Sequence, residues 1–489
     1  MGNAVNTSIQ ILTQGHVMRN LKSAVTVSAV SLSLAAGLGF IGVQNASAVE
    51  LYNKDGTKFE FTAEIGVGLF HVTRDFGLSA LRKPLSEVSW SEGYAIMGFK
   101  LEQKLDANWK AFGVLTGVVN GIRGQGDAIA SAIGDEDGGQ VQDAYGGLEW
   151  TSGVEGGASM KISGGRQKWV QGDGFVIAGD QPTSGRGYGE QYDEGGSYYT
   201  NPRRVFSQTA ILNVETGTPF RFDAYYIESE KGQNGQRAIA GGNIEYVDKT
   251  YGTIGGQFIR GLDVEDPFNV VLPFTPATDG MNLFSIYGNT SFGIKDFTLS
   301  GRYVDETSDS VAECTVAVQC AALDAYAWYI SPSYTFSAAA WTPTLYYRFA
   351  SFSGDDPNTA DNEGYDPLFY GATGYNTWFI GEIAANYSGP FSSNADVHSI
   401  GLKTAPNIDI GIGKWTGMSG YVNHYSLRES GANDDNIGTE LAVYAEFQLF
   451  ENLYLSPLYS VLFPGQGYQD INGDDDNVHN FQLLGILTY

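Results

Sequence analysis

The chain has 489 residues, a formal net charge of −27, 64 glycines, 29 tyrosines, 27 phenylalanines and only 2 cysteines. Such acidity excludes nucleic-acid binding, which needs a basic patch. High glycine and aromatic content with few cysteines suits many long strands bounded by aromatic girdles.

The chain opens with a small basic region at Met18, Arg19 and Lys22, followed by an uncharged run from Ser23 to Val43 and the small-x-small triplet Ala46-Ser47-Ala48. This pattern predicts a signal peptide with an extended n-region over 1–48 and a mature N-terminus at Val49. An uncleaved transmembrane anchor is the other reading of the same run. Export from the cytoplasm follows from the signal. No later segment approaches 18 consecutive apolar residues, so no later helix is expected to span a bilayer.

From Val49 onward, alternating segments recur. In the first, Phe59, Phe61, Ala63, Ile65, Val67 and Leu69 share one face and Lys58, Glu60, Thr62, Glu64, Gly66 and Gly68 the other. An apolar row opposite a charged row is what a strand between lipid and a water-filled lumen requires. The hairpin 95–120 turns at Asp106-Ala107-Asn108, and another pair, 140–150 and 157–166, turns at Ser152-Gly153. Phe220, Phe222 and Ala224 alternate with Arg221, Asp223 and Tyr225. Phe284 and Ile286 oppose Ser285 and Tyr287, and Phe297, Leu299 and Tyr303 oppose Thr298, Ser300 and Arg302. Tyr326, Trp328 and Ile330 lead to Ser331, Ser333 and Thr335 on the other face. Leu345, Tyr347 and Phe349 oppose Tyr346 and Arg348. Leu441, Val443, Ala445 and Phe447 oppose Glu440, Tyr444, Glu446 and Gln448. The last strand places Phe481, Leu483, Leu487 and Tyr489 outward and Asn480 and Gln482 inward. A strand that runs to the final residue makes sense if it pairs with the first and seals a barrel.

Connections alternate too. Asp106–Asn108, Ser152–Glu155, Ile294–Asp296 and Glu451–Asn452 are tight, whereas 121–139, 167–200, 261–280, 305–323, 352–374 and 464–477 are long. Short turns at one end and long loops at the other are the asymmetry of an outer-membrane barrel, with the short turns periplasmic. Nineteen candidate strands can be drawn. Both termini of a bacterial barrel lie on one side, which demands an even number, and dropping 375–388 restores the short–long alternation. The expectation is an all-β, antiparallel up-and-down transmembrane barrel of 18 strands over 49–489, with 16 as the runner-up. Trp109, Trp150 and Trp341 fall beside predicted periplasmic turns, where an interface belt belongs.

Two resemblances add to this. Val49 to Lys58, reading VELYNKDGTK, resembles the mature start of Gram-negative general porins. Arg166-Gln167 with Gly172-Asp173-Gly174-Phe175, Tyr365 to Tyr370, Trp378 to Ile383, Asn394 to His398 and Leu453 to Tyr459 resemble, in order, motifs of the alginate-export family of outer-membrane barrels. That resemblance implies an 18-stranded monomeric barrel in the outer membrane of a Gram-negative bacterium, carrying an anionic solute or polymer. A general diffusion porin, which is a trimer, is the alternative. The expected surroundings are outer-membrane lipid and lipopolysaccharide.

A channel needs no catalytic residues; a water-filled pore, a charged constriction and an aromatic girdle suffice. Arg221, Arg302 and Arg348 are predicted to face the lumen, and so are Glu64, Glu440 and Glu446, a mixed lining that departs from an arginine-lined alginate pore. Loop 167–200 has Arg166, Lys168, Arg186, Arg203 and Arg204 at or near its ends and Asp173, Asp180, Glu190, Asp193 and Glu194 beside them. It is either an inward-folded constriction with opposed charges or a solvated external loop. Cys314 and Cys320 fit one local disulfide in an exported protein or two free thiols. Asp470, Asn472, Asp474 and Asp476 present oxygen side chains at alternate positions, which suits calcium, or simply an acidic external loop; no other cofactor is indicated. An outer-membrane hydrolase would need a histidine beside Ser and Asp or Asn. His479, next to an Asp-rich loop, is its best candidate, and no Gly-x-Ser-x-Gly or His-Glu-x-x-His motif is present.

Overall fold

A computed structural model describes residues 48–74, 87–180, 182–230, 236–264, 279–309, 321–369, 383, 393–429, 434–473 and 475–489. Its strands are β1 Val49–Lys54, β2 Thr57–Val72, β3 Val88–Lys104, β4 Trp109–Gly124, β5 Asp137–Thr151, β6 Ala158–Gln167, β7 Phe206–Thr216, β8 Phe220–Glu228, β9 Arg237–Asp248 and β10 Gly252–Val264. They continue with β11 Asn282–Thr290, β12 Phe297–Ser308, β13 Leu323–Thr335, β14 Thr344–Phe352, β15 Ala395–Thr404, β16 Ile408–Asp409, β17 Gly413–Leu427, β18 Asn436–Leu449, β19 Leu453–Pro464 and β20 Val478–Thr488. A short helix, α1 Gln466–Asn472, precedes β20.

Leaving aside the short β1 and β16, each strand pairs antiparallel with the next along the chain, and β20 returns to β2 through Glu64↔Thr488 to Val72↔Asn480. This closes a ring of 18 strands, the expected number. β14 pairs directly with β15; of segment 375–388 only residue 383 is described. Residues 1–47 of the expected signal peptide 1–48, and Cys314 and Cys320, also lie outside the described residues.

The seam is built by the two ends of the chain. β3 occupies one whole edge of β2, while β20 and β1 share the other edge end to end: β20 takes Glu64–Val72 and β1 takes Thr57–Phe61. Ala63 and Tyr489 exchange backbone hydrogen bonds of 2.8 and 2.7 Å at the end of β20. Asp55 and Gly56, both at positive φ, form the two-residue turn that lets β1 fold back on β2. The final strand therefore leaves no bare edge for another chain to pair with.

Alternation sorts the side chains. Ile65, Val67 and Leu69 are exposed on the outer wall of β2, and Gly66, Gly68 and Phe70 between them are buried toward the lumen. The same two-residue period exposes Met97, Phe99 and Leu101, Phe220 and Phe222, Phe284 and Ile286, and Phe481, Leu483 and Tyr489. A continuous apolar band of this kind is stable only in an apolar surrounding. Ring strands run from 9 to 17 residues, enough to cross a bilayer core at a tilt. Near the short turns Trp109 is the register partner of Trp150, and Trp341 lies 5.7 Å from Trp415.

Four inward tyrosines use one packing device. Tyr94, Tyr225, Tyr287 and Tyr346 each stand directly opposite a glycine on the next strand: Gly66, Gly241, Gly255 and Gly401. Each ring lies flat along the wall in the space a Cβ would take; at Gly255 that Cβ would be 2.5 Å from Cζ of Tyr287. β13 carries Pro332 in mid-strand, where its ladder to β14 breaks off, and the Ser331 hydroxyl donates to the Tyr347 carbonyl at 3.1 Å instead.

Candidate functional site

The packed core of this molecule lies inside the ring, toward the long loops. Residues 168–205 fold inward, with Phe175, Val176 and Ile177 fully buried against Phe352, Tyr365, Leu368 and Phe369. Ile177 makes a parallel bridge to Phe369, with Ala178 N donating to Phe369 O at 2.8 Å and Phe369 N to Val176 O at 3.1 Å. The inward loop and segment 353–369 are thus stitched together within the lumen. Residues 125–136 support the other side: Gly185 and Gly187 donate to Ser131 O at 2.9 and 3.0 Å. Of the two readings of loop 167–200, the structure adopts the inward one.

Polar contacts fix the loop to the wall. Asp173 Oδ1 accepts from Arg302 Nη1 of β12 at 2.9 Å, and its Oδ2 accepts from the Tyr329 hydroxyl of β13 at 2.5 Å. Arg302 is buried over the ring of Tyr287, 4.5 Å from its centroid, and also donates to Ser285 at 2.8 Å and to Gln257. Gln171 donates to the Tyr287 hydroxyl at 3.0 Å and accepts from Gln257 at 3.0 Å. Glu92 of β3, buried, accepts from the amides of Tyr199 at 3.2 Å and Thr200 at 2.7 Å, and from Trp90 Nε1 at 3.1 Å. Arg204, buried, donates to the carbonyls of Asp180 at 2.7 Å and Gly179 at 3.3 Å. Burial lowers its guanidinium to about 10, still charged at neutral pH. Asp180 in turn receives Ser229 at 2.6 Å and the Glu230 amide at 3.0 Å.

A smaller set of charges remains about the lumen wall below this plug. Glu64 accepts from the Tyr94 hydroxyl at 2.6 Å, and Asp143 of β5 from Thr116 at 2.6 Å. Lys168, the first residue after β6, makes no hydrogen bond or ion pair with another described residue. Burial, reinforced by the Arg204 charge and opposed by Glu64 and Asp143, lowers its ammonium to about 7. Arg348 lies over the ring of Tyr329, 4.3 Å from its centroid. Glu446 of β18 receives the Tyr454 hydroxyl at 3.0 Å and lies within electrostatic reach of Lys403 of β15.

The predicted site residues therefore separate. Lys168, Arg348, Glu64 and Glu446 lie among the inward-facing side chains. Arg302 and Glu440 also point inward but are buried as anchors: Glu440 is fully covered and accepts the Ile383 amide at 3.0 Å. Arg203 is a further anchor, 2.7 Å from Glu194 O and 3.7 Å from the Glu230 carboxylate. Arg166 is held in an ion pair rather than left facing the lumen by itself. It is the register partner of Ala144, itself paired with outward Leu115, and its guanidinium is bound by Glu230 and the carbonyls of Val141 and Gln142. Arg186 is a rim residue, paired with Asp135 and, at 3.8 Å, with Asp193. Arg221 lies near the short turns, exposed and 3.5 Å from Glu215. Sequence reasoning missed Asp143, Gln171, Gln257 and Tyr329, which acquire their roles only from cross-strand register.

Asp470, named for calcium, lies on α1 and accepts from Gln466 at 2.7 Å; Asp474 lies outside the described residues. No group of three or more His, Cys, Asp or Glu placed to hold a metal occurs among the described residues. His71, His398, His424 and His479 all take outward parity, between buried inward neighbours. His479 bonds Tyr459 at 2.8 Å and His398 bonds Tyr347 at 2.8 Å. The hydrolase candidate His479 thus belongs to the outer wall rather than to a rim cleft.

No family model and no curated protein matches the sequence. Solved structures do match. A BenF-like porin from Pseudomonas fluorescens Pf-5 superposes with a TM-score of 0.56 at 10% identity, over 88% of this chain and 98% of that one. Pseudomonas aeruginosa OccK5 (OpdH) gives 0.52 at 12% identity, over 88% and 97%. Pseudomonas aeruginosa OccK2 (OpdF), in complex with glucuronate, gives 0.50 at 12%, over 88% and 98%. The chain shares the 18-strand porin fold with these proteins.

Proposed function

We propose that this chain is an outer-membrane channel of a Gram-negative bacterium, passing small hydrophilic and anionic solutes down their gradients. One observation carries the reading: a closed 18-strand ring with an apolar outer wall holds an inward-folded loop and a charged lumen wall. The wall supplies passage through lipid, the loop narrows the lumen, and fixed charges select what enters. Lys168 with Glu64 and Asp143, Arg348 over Tyr329, and Glu446 with Lys403 are the residues assigned to selection. A polymer-exporting, arginine-lined pore of the alginate-export kind is supported less well, because Arg203, Arg204 and Arg302 are engaged in holding loops. Mixed charge on the lumen wall favours a weakly selective diffusion porin as the second reading. Since one similar structure holds glucuronate, a small carboxylated sugar is the solute to test first.

The test is conductance of purified protein in a planar bilayer under a salt gradient, with liposome swelling in glucuronate against glucose. Stable conductance with faster swelling in glucuronate supports anion selection. Conductance without that preference supports the diffusion porin. Folded barrel that conducts nothing refutes the channel.

A further inference from the structure

We propose that the outer wall at the seam binds one phosphorylated lipid of the outer leaflet, with an acyl chain in a groove running from β17 to β2 and a phosphate on His71 and His479. The inference goes beyond the channel reading and takes from it only the outer-membrane setting, long loops outward. The groove is apolar and open, about 610 Å³, with Leu69, Met418, Val443, Pro457 and Leu483 among its walls. Its cause is local. The ladder between β18 and β19 pairs Tyr444 with Leu458 and Phe447 with Leu455, and is interrupted between them, where Ala445 and Glu446 face Ser456 and Pro457. Pro457 has no N–H to donate to a ladder. Ala445 and Pro457 are also short side chains on the outer face, so the floor of the groove reaches the inner layer at Tyr444 and Leu458.

The end of the groove toward the long loops is polar. His71 is the register partner of Phe481, and Phe481 of Tyr459; His479 lies two residues along β20 from Phe481. Both histidines stand next to their strand's end at the long loops, Val72 and Val478. The Tyr459 and Phe481 rings lie 5.0 Å apart, and Tyr459 and His479 6.1 Å apart and stacked. Each imidazole is fastened through Nδ1 to a hydroxyl of the next strand, His71 to Ser89 at 2.8 Å and His479 to Tyr459 at 2.8 Å. His398 and His424 do the same with Tyr347 and Thr439. Nε2 of these histidines makes no hydrogen bond to a described residue. A hydroxyl that donates to Nδ1 puts the proton of the neutral ring on Nε2, so the wall offers N–H donors to whatever lies against it. The adjoining loop residues carry both signs, Arg74 against Glu87, Asp475 and Asp476. Net charge therefore does not draw an anion here, and the oriented donors do. An apolar groove with donors at its outward end matches a lipid whose tail lies along the wall and whose headgroup carries acceptor oxygens. Phosphate is the acceptor such donors hold most strongly. A lipid without it fills the groove and leaves the donors unmatched.

The experiment is native mass spectrometry of the full chain in detergent, titrated with a diphosphorylated hexa-acyl glucosamine disaccharide lipid and, separately, with its dephosphorylated form. The phosphorylated form should be held about tenfold more tightly, which is what one hydrogen bond to a charged group contributes. His71→Phe combined with His479→Phe keeps the aromatic packing and removes both donors. It should abolish the preference while both lipids still bind. Ala445→Trp fills the groove and should weaken both lipids alike. Each variant is checked for folding by heat-modifiable mobility. Equal retention of the two lipids by wild type, or a preference that survives the double histidine variant, overturns the proposal. Retention unchanged by Ala445→Trp overturns it as well. Conductance of the same preparations reports on the channel reading separately: a folded barrel that conducts and shows no phosphate preference overturns this proposal alone.

Discussion

Removing the carboxylate of Asp173 should free the inward loop. Asp173 joins the loop to two strands at once, through Arg302 at 2.9 Å and Tyr329 at 2.5 Å. The Arg302 side chain is 0% exposed and that of Asp173 27%. Stripping a buried guanidinium of its carboxylate costs about 3 to 5 kcal/mol, and the partial exposure of Asp173 argues for the lower end. About 3 kcal/mol changes an equilibrium by a factor of about one hundred. The Gln171 contacts and the Ile177–Phe369 bridge remain, so Asp173→Ala should raise the frequency of undocked, higher-conductance states rather than empty the lumen. Single-channel recording reads this as larger, noisier openings. Asp173→Ala combined with Arg302→Met removes the stranded charge and should recover folding stability while keeping the noise. If Asp173→Ala conducts as quietly and as narrowly as wild type, the latch does not hold the loop and the reasoning is wrong.

Other consequences are as direct. Gly66→Ala places a methyl group in the ring of Tyr94 and should lower barrel stability by about 1 to 3 kcal/mol. Gly256→Ala, whose Cβ would meet only Ser285 O at 3.9 Å, should not; thermal melting followed by gel mobility separates the two. Arg302→Ala should act on loop noise and stability more than on ion preference, the reverse of what luminal orientation alone predicts, because its guanidinium is covered. Deleting Val49–Lys54 should leave a closed ring, since β20 alone seals β2 over Glu64–Val72, and heat-modifiable mobility would show it. His479→Ala should leave conductance unchanged, because that side chain lies on the outer wall against Tyr459.

Much of the wall was legible from the chain alone. A two-residue period needs only local residue order, so Ile65, Val67 and Leu69 or Phe284 and Ile286 could be assigned to the outer face, and Ser285 and Tyr287 to the lumen, without any partner strand. The strand count followed from the parity of the termini and from the alternation of tight and long connections. The same rule assigned Glu64, Glu446 and Arg348 to the inner side, whereas Lys168 was named only as a charge near the end of loop 167–200.

Which inward charge faces solvent and which is buried was decided by tertiary structure. Parity alone puts Arg302 inward; that Gln171 and Asp173 cover it follows from a loop far away in sequence. Arg166 was named because it sits at a strand end; an irregularity between Gly165 and Gln167 shifts the register there and Glu230 takes the guanidinium. The tyrosine–glycine pairs show the same limit: Tyr287 and Gly255 are each unremarked in their own strands and become a joint only when the ladder sets them opposite. Alternation is a property of one strand and can be read from sequence. Register, loop docking and the neutralisation of buried charge belong to pairs of distant segments, and only the folded molecule brings those segments together.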